Sequence, residues 1–123
     1  MKKNCVFCSN AFIKKRTVEK TNNIFVAYDK NPVTRFHLLF IIKKHKKSFF
    51  DLSESELKDL FFLLKKMKKK IMIKDKSIKG FNLGVNLGKL SGQTILHCHF
   101  HLIPRRKNDR DLRLNKGGFF WIK

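Results

Sequence analysis

The chain has 123 residues and a mass of 14.6 kDa, which suits one domain with one hydrophobic core. Its hydrophobic content is 42%, yet no apolar run reaches the ~20 residues that a membrane span needs. The basic start is followed by further charge and not by an apolar signal segment, so we expect neither export nor membrane insertion.

The formal net charge of +20 leaves two interpretations open. Lys and Arg neutralise phosphates, which favours a polyanion partner such as nucleic acid. However, the excess is mostly lysine and comes with abundant Asn, Ile and Phe, whose codons are rich in A and T, so genome bias gives the same composition. Arginine, the usual residue for specific phosphate recognition, is scarce, and one tryptophan and one tyrosine do not indicate a base-stacking platform. Nucleic-acid binding is therefore not favoured, although the charge suits a phosphorylated ligand.

Two strands are predicted in the first third of the chain. Residues 23–29 (NIFVAYD) are a short run of apolar, β-branched and aromatic residues, which is typical of a strand, and Asn31-Pro32 marks a turn. Residues 37–44 (HLLFIIKK) are predicted to form a second strand. Its nearly continuous apolar character indicates burial on both faces.

A long helix follows. Residues 53–56 (SESE) have the pattern of a capping box, and an apolar stripe repeats after them at helical spacing. Lysines crowd the last turns, where positive charge complements the helix dipole. The stripe is predicted to face the core and consists of Leu57, Leu60, Phe61, Leu64, Met67 and Ile71.

Two more strands are predicted after the helix, at residues 81–87 (FNLGVNL) and at residues 95–103, with Pro104 ending the second. The chain shows neither an internal repeat nor a linker. Strands on both sides of one long central helix predict a single α+β domain over residues 1–123, with a mainly antiparallel sheet.

Three histidines recur at every second residue of the last predicted strand. Side chains at this spacing share one face, so His97, His99 and His101 are expected to project together. The outer two start about 13 Å apart, whereas tetrahedral zinc needs ligand atoms only about 3.4 Å from one another. At least one of the three therefore has a role other than binding the same metal. Rings that are hydrogen-bonded within the sheet, or a solvated polar face, are the alternatives without chemistry.

Cys5 and Cys8 form a C-x-x-C pair near the start. Three cysteines in the whole chain argue against a disulfide framework and favour a cytoplasmic setting. Redox chemistry, zinc and two buried thiols are all compatible with the pair, although the βαβ context of the redox motif is missing. The zinc hypothesis is a structural site of Cys5, Cys8, His45 and one triad histidine, preferably His97. Cys98 is predicted to be buried on the opposite face of its strand.

The loop before the histidines supplies groups that suit phosphate. Residues 88–94 (GKLSGQT) contain glycines, an amide and hydroxyls, and backbone N–H groups in such turns can hold phosphate oxygens. The spacing is not that of a P-loop, and a plain hairpin loop is the alternative. Beside clustered histidines, these groups suggest phosphorus chemistry in which histidine is the nucleophile.

The segment GQTILHCHFHLIPR resembles the signature of the histidine triad (HIT) family, His-φ-His-φ-His-φ-φ with apolar φ. Other features also lie in the family's order. They are C-x-F-C, Asp29 before Asn31-Pro32, a histidine before an apolar strand ending in Lys-x-His, the capped helix, GFN-x-G-x-N-x-G at 80–88 and GG-x-x-W at 117–121. The similarity covers nearly the whole chain and is greatest to small bacterial hydrolases described as diadenosine-tetraphosphate-hydrolase-like. One departure is Arg35-Phe36 before His37, where the family usually has Pro-Gly.

The resemblance implies a HIT-like fold and a hydrolase or transferase acting at the α-phosphorus of an adenine-containing nucleotide. Either dinucleoside polyphosphates or nucleoside phosphoramidates would be substrates. His99 would be the nucleophile, His101 would bond the phosphate or leaving group, and His37 would support His101. The implied nucleotide contacts are Asn86, Gln93 and Thr94 to phosphate oxygens and Asp29 to the ribose, besides His99 and His101.

The resemblance also implies a structural zinc ion, no organic cofactor, and a homodimer whose two sheets join. An alternative function is a non-catalytic nucleotide- or RNA-binding zinc protein, which the charge suggests.

Overall fold

A computed structural model describes residues 5–9, 11, 15–107 and 109. The GG-x-x-W pattern at 117–121 lies outside the described residues. Short 3₁₀ turns occur at Val6–Cys8, Phe49–Asp51 and Lys89–Ser91. The longer elements are β1 (Thr17–Lys20), β2 (Ile24–Tyr28), β3 (Leu38–Ile42), α1 (Glu54–Lys74), β4 (Ile78–Gly84) and β5 (His99–Arg106).

The strands form one sheet of five in the order β1-β2-β3-β5-β4, and each neighbouring pair is antiparallel. This confirms the predicted α+β class. Strand β3 is central and all five of its residues are buried, as its apolar run predicts. Its pairing with β5 sets Ile41 opposite His99 and Leu39 opposite His101, so these two histidines lie in the middle of the sheet.

The two faces of the sheet have different partners. Helix α1 covers one face and contributes to the main core with side chains from β2, β3 and β5. A smaller apolar cluster on the other face consists of Phe7, Phe25, Leu39 and Ile41. The ring of Phe7 contacts His99, so the histidines share this second face. Cys98 is 1% exposed in the main core, as predicted.

The capping box of α1 is present, since the Ser53 hydroxyl accepts from the Glu56 N–H and the Glu56 carboxylate accepts from the Ser53 N–H. The predicted apolar stripe is partly wrong. Leu57 and Phe61 are 38% and 64% exposed, because they lie about 60° and 100° around the helix from Leu60. The face that is buried against the sheet is formed by Glu56, Leu60, Leu63, Met67 and Ile71.

The predicted last strand is displaced along the chain. Residues 95–97 bend, and β5 starts at His99, so His97 precedes the strand. At its other end β5 continues through Pro104 to Arg106. The carbonyl of Pro104 faces Thr34, on the side where β3 has already ended, so its missing N–H leaves no ladder bond unmade.

Two further boundaries differ from prediction. Strand β4 spans Ile78–Gly84 instead of 81–87, because it pairs with the extended end of β5, from Ile78 opposite Arg106 to Gly84 opposite His101. The edge strand β1 is not identified in the sequence, since its four residues have no run of apolar side chains. Among the described residues, no helix combines the length and apolar character needed to cross a bilayer.

Candidate active site and metal centre

Four potential metal ligands from distant parts of the chain converge. Cys5 and Cys8 lie at the ends of the first 3₁₀ turn, His45 follows β3, and His97 precedes β5. The Sγ of Cys5 is 3.2 Å from Nδ1 of His97, and the Sγ of Cys8 is 3.4 Å from Nδ1 of His45. All four ligand atoms lie within 4.8 Å of one another. These separations fit a tetrahedral zinc ion with bonds of about 2.3 Å to sulfur and about 2.0 Å to nitrogen.

Hydrogen bonding leaves the appropriate nitrogen of His97 available to a metal. Its Nε2 N–H donates to the carbonyl of Ile42, so Nδ1, which faces Cys5 and Cys8, carries the lone pair. Burial lowers the pKa of His97 and raises the pKa of the Cys5 thiol. The ring is therefore neutral, and a bound cation would favour the thiolate form of Cys5. A carbonyl that orients a ligating imidazole is a common feature of zinc sites, and the residues fit a structural zinc.

His37 and His101 form a directed pair on the same face. The backbone N–H of Val33 donates to Nδ1 of His37 over 3.1 Å, which assigns the proton of a neutral His37 to Nε2. This Nε2 lies 2.9 Å from Nδ1 of His101. Nδ1 of His101 is therefore the acceptor, and the proton of His101 is on its own Nε2. Burial lowers the pKa of His37 to about 4 and that of His101 to about 3, so both rings are neutral near pH 7.

Asp29 lies beside this pair. Its Oδ2 is 3.4 Å from Nε2 of His37 and 4.0 Å from Nδ1 of His101, while its Oδ1 accepts from the Asn31 N–H in the predicted turn. Asp29, His37 and His101 have the composition of a metal site. A metal bound to Nε2 of His37 would however require an imidazolate, because Nδ1 already accepts the Val33 N–H. The geometry therefore favours proton positioning here over metal binding.

His99 is held in one orientation between the two clusters. Its Nδ1 N–H donates to the carbonyl of His97 over 2.7 Å, which leaves the lone pair on Nε2. Its ring packs edge-on against Phe7 at 5.0 Å between centroids and lies 5.2 Å from the ring of His101. Burial lowers the pKa of His99, which favours the neutral form. A neutral imidazole next to an N–H donor can attack an electrophile and stabilise the charge that develops.

A cavity of about 440 Å³ opens on His99 and His101. Its lining includes Asp29 and Thr94, two of the predicted nucleotide contacts. Most of the remaining described lining is apolar and comprises Val6, Phe7, Leu39 and Ile95. Arg16 and Lys30 are basic, and Asn31 is polar. Apolar walls with a few polar and cationic groups suit a ligand that has a flat apolar part and an anionic part.

The described lining of this cavity does not include Asn86 or Gln93, the other two predicted contacts. The Gln93 amide braces its own loop, since Oε1 accepts from the Gly88 N–H over 2.7 Å and Nε2 donates to the Lys47 carbonyl over 3.0 Å. Asn86 donates to the carbonyl of Gly92 over 3.4 Å. Gly88 and Gly92 have φ of 88° and 91°, which glycine adopts without strain. A phosphate contact from Gln93 would require one of its bonds to be exchanged, and it stays a prediction.

Phe36, the residue before His37, has a left-handed backbone conformation that is typical of glycine. Phe36 has a φ of 73°, a left-handed conformation that costs ~1–2 kcal/mol in a residue with a Cβ. Its ring lies 6.0 Å from the ring of Tyr28, and the guanidinium of Arg35 lies 4.7 Å above it. These contacts offset part of the strain, in a conformation that glycine would adopt freely.

Phe7, Arg16 and Lys30 also line the cavity. They are not among the site residues predicted from the sequence. Phe7 is inside the C-x-x-C motif and 3% exposed, so its position between two ligands is a signal that could have found it. Arg16 is held by a bond from its guanidinium to the Tyr28 carbonyl of 2.9 Å. In a chain with 29 lysines and arginines, no sequence signal separates Arg16 and Lys30 from the rest.

The chain is similar to known proteins over most of its length. The sequence model of the HIT domain matches residues 10–108. The chain belongs to the HIT family. An uncharacterised HIT-like protein of Methanocaldococcus jannaschii is 32% identical over 111 residues, 88% of this chain and 84% of that protein. A crystal structure of a HIT family protein from Bacillus anthracis superposes with a TM-score of 0.81 at 30% identity, covering 100% of this HIT chain and 83% of that one.

Other HIT relatives are named for activities or ligands. An adenosine 5′-monophosphoramidase of Candida albicans is 27% identical over 83% of this chain and 70% of its own length. An asymmetrical bis(5′-nucleosyl)-tetraphosphatase of Schizosaccharomyces pombe is 37% identical over 63% of this chain and 42% of its own length. A zinc-bound histidine triad protein from Mycobacterium smegmatis has a TM-score of 0.74 at 27% identity, with 87% and 78% of the two chains covered. The family thus includes nucleotide hydrolases, and one relative binds zinc.

Proposed function

We propose that this HIT protein is a hydrolase or transferase that cleaves at the α-phosphorus of a nucleotide, with His99 as the nucleophile. The observation that carries the proposal is the bond from Nδ1 of His99 to the His97 carbonyl. It leaves Nε2 as the nitrogen with a lone pair, in a side chain that lines the cavity with His101. Substrates would be dinucleoside polyphosphates or nucleoside phosphoramidates, the classes for which two relatives are named.

The proposed reaction has two steps. Nε2 of His99 forms a bond to the α-phosphorus while the bond from phosphorus to the leaving group breaks, which gives a nucleotidyl-histidine. Water then attacks the same phosphorus and releases the nucleotide and His99. The Nε2 N–H of His101 donates to a phosphate oxygen or to the leaving group, which is an oxygen in polyphosphates and a nitrogen in phosphoramidates, and His37 holds His101 in that tautomer. Nothing in this scheme requires an organic cofactor.

Other predicted residues keep supporting roles in the proposal. Thr94 contacts a phosphate oxygen and Asp29 a ribose hydroxyl, since both line the cavity. Asn86 and Gln93 contribute through the loop that they brace, and reach phosphate only after that loop rearranges. Adenine is the proposed base, in line with the relative that acts on adenosine 5′-monophosphoramidate.

The test of the nucleophile compares wild type with His99→Ala on adenosine phosphoramidate and on diadenosine tetraphosphate. We expect nucleotide release from at least one substrate by the wild type and none by the variant. Folding and nucleotide binding should be largely retained in the variant, measured by circular dichroism and by titration calorimetry. Wild-type turnover in the His99→Ala protein would show that the mechanism is wrong. The faster substrate identifies the branch of the family.

The second candidate is a nucleotide- or RNA-binding zinc protein without catalysis, which the net charge of +20 favours. It predicts polyanion binding that weakens steeply with salt and is indifferent to His99. A folded, zinc-loaded wild type that turns over neither substrate but binds RNA in this way would support the second candidate.

We propose that Cys5, Cys8, His45 and His97 hold a structural zinc ion. When bound, zinc supplies charge to stabilise the thiolates and ties the N-terminal turn to the sheet, but takes no part in the reaction. Thiolate ligands require a reducing compartment, so the proposed location is the cytoplasm.

We also propose a homodimer across the edge strand β4. An edge strand presents backbone N–H and C=O groups that a second copy can pair with. The neighbouring surface combines exposed apolar side chains with lysines. Leu83 is 54% exposed and Phe61 on α1 is 64% exposed, and Lys65, Lys68 and Lys79 lie around them. Leu83 and Phe61 line a groove between α1 and β4 that Phe81 and Met72 also line. Pairing here would join two sheets and cover this groove.

A further inference from the structure

The loop between β2 and β3 bonds to the part of β5 that extends beyond the start of β3. Strand β3 begins at Leu38, opposite Leu102, so the last residues of β5 have no β3 partner. The hydroxyl of Thr34 donates to the Pro104 carbonyl over 2.7 Å, across 70 positions of the chain. A guanidinium nitrogen of Arg106 donates to the Arg35 carbonyl over 3.0 Å. Two side-chain bonds thus replace the missing ladder and attach the loop to β5.

Thr34 lies between this anchor and His37. Its carbonyl accepts from the backbone N–H of His37 over 3.2 Å, and its chain neighbour Val33 donates the N–H that reaches Nδ1 of His37 over 3.1 Å. Thr34 is therefore attached on one side to the strand that carries His101 and on the other to His37. A shift of Thr34 moves the Val33 N–H relative to Nδ1 of His37.

The Val33 N–H determines the protonation pattern of the pair. A backbone N–H can only donate, so the nitrogen that it meets must be unprotonated. If this donor moved away, Nδ1 of His37 could also be protonated. Of the two groups that favour a proton on Nε2, Asp29, whose Oδ2 lies 3.4 Å from that nitrogen, would remain. With Nδ1 protonated, Nε2 of His37 becomes an acceptor, and the proton of His101 must then lie on Nδ1. Nε2 of His101, the proposed donor to the phosphate or leaving group, would lose its hydrogen.

We propose that Thr34 is a positioning residue for the His37–His101 pair. Its bond to Pro104 holds the Val33 N–H on His37 and thereby keeps the donor hydrogen on Nε2 of His101. The consequence for turnover rests on the proposed function, whereas the consequence for the two tautomers does not.

The test compares wild type, Thr34→Val and Thr34→Ser. Valine keeps the shape of the side chain and removes the hydroxyl, while serine keeps the hydroxyl. Long-range ¹H–¹⁵N spectra of the histidine rings near neutral pH report which nitrogen of His37 and of His101 is protonated. Wild type and Thr34→Ser should show protonated Nε2 in both rings. Thr34→Val should show a mixture of tautomers.

Kinetics provide the second readout. In Thr34→Val we expect kcat to fall roughly ten- to a hundredfold with little change in KM, since a misplacement of the order of 1 Å costs about 10²-fold. Thr34→Ser should restore kcat. A fall in kcat without a tautomer change overturns the proposal. A tautomer change without a fall in kcat would support Thr34 as the residue that sets the tautomers and overturn only their link to turnover.

Two controls keep the result interpretable. If the wild type turns over neither substrate, the proposed function fails, and the ring spectra alone decide whether Thr34 sets the tautomers. If Thr34→Val does not fold, Arg106→Gln removes the second anchor and is read by the same spectra and kinetics. Unchanged tautomers in that variant also overturn the proposal.

Discussion

Four histidines of this protein have different roles because each ring has a different hydrogen-bond partner. The Ile42 carbonyl takes the proton of His97 and leaves Nδ1 to face the cysteines. The Val33 N–H donates to Nδ1 of His37 and so leaves the proton on Nε2, which donates to His101. The His97 carbonyl orients His99. Single backbone groups thus separate the proposed metal ligand, the His37–His101 pair and the proposed nucleophile among side chains of one type.

Backbone strain before His37 gives a prediction at the scale of one residue. Phe36 has a φ of 73°, and we compare Phe36→Ala with Phe36→Gly. Both variants lose the ring, but only glycine relieves the left-handed strain. Phe36→Gly should therefore be more stable than Phe36→Ala by about 1 kcal/mol in urea unfolding. A Phe36→Ala variant more stable than Phe36→Gly would show that the backbone conformation carries no strain, because alanine restricts the unfolded chain more than glycine does.

Burial of His37 and His101 makes the free energy of unfolding depend on pH. The pKa of His37 is lowered to about 4 and that of His101 to about 3, from an ordinary value of 6.5. Below pH 6.5 the unfolded chain binds these protons and the folded chain does not, so protonation favours unfolding. Their contribution is complete above about pH 6.5 and is lost as the pH falls towards 4 and then 3.

Urea unfolding of wild type and His101→Gln between neutral pH and pH 4 measures this contribution. The variant lacks one of the two groups, so its free energy of unfolding should fall less steeply with decreasing pH. The metal ligands are the same in both proteins, so their own pH dependence cancels in the comparison. Parallel curves would rule out a lowered pKa for His101.

At the scale of elements, the first 3₁₀ turn connects the metal centre to the proposed nucleophile. Cys5 and Cys8 enclose Phe7, whose ring contacts His97 at 5.8 Å and His99 at 5.0 Å between centroids. His97 in turn supplies the carbonyl that holds His99. The turn is only three residues long, so its own hydrogen bonds are too few to hold it in place. A metal is the strongest available attachment.

Metal removal should therefore destabilise the protein. We expect about one zinc per chain in wild type, and a fall of at least ~5 °C in Tm on chelation under reducing conditions. Cys8→Ser should lose zinc, measured by elemental analysis. Cys98→Ser is the matched control, since Cys98 is buried in the main core on the other face and its loss should leave the zinc content unchanged. Equal zinc content in all three proteins would refute the assigned ligands.

At the scale of the whole molecule, the strand order determines where chemistry and assembly can occur. Strand β5 lies inside the sheet, between β3 and β4, so its histidines are supported from both sides. Strand β4 is at an edge and forms a groove with α1 that apolar side chains and lysines line. The site and the proposed dimer surface thus belong to adjacent strands, and an interface could form without covering the cavity that His99 lines.

The dimer is tested with a charge in that groove. Leu83→Lys should convert the dimer to a monomer in analytical ultracentrifugation, because it replaces an apolar contact and adds a positive charge to a groove that Lys65, Lys68 and Lys79 already line. Phe62→Lys is the control, since Phe62 is 57% exposed on α1 and does not line the groove. A wild type that sediments as a monomer would contradict the proposal, and so would equal dissociation by both variants.

Much of this arrangement could be predicted from local patterns. The alternating histidines, the continuous apolar run of β3 and the capping box of α1 each involve residues within a few positions of one another. Their interactions are visible in the sequence, and the structure agrees with them. Prediction fails where contacts with a distant part of the chain determine which side chains are buried or where a strand ends. Leu63 is buried in place of Phe61 because the sheet selects the buried side of α1, and β5 passes through Pro104 because Thr34 occupies the position beside it.

The sequence by itself determined the family resemblance, the set of chemically active side chains and the class of fold, because periodicity and motif spacing are properties of neighbouring residues. Only the tertiary structure decided which nitrogen of each imidazole carries the proton and which residues line the cavity. Those outcomes depend on the carbonyl of Ile42, the N–H of Val33 and the turn around Phe7. Each comes from a different part of the chain and meets its histidine only after the sheet has formed.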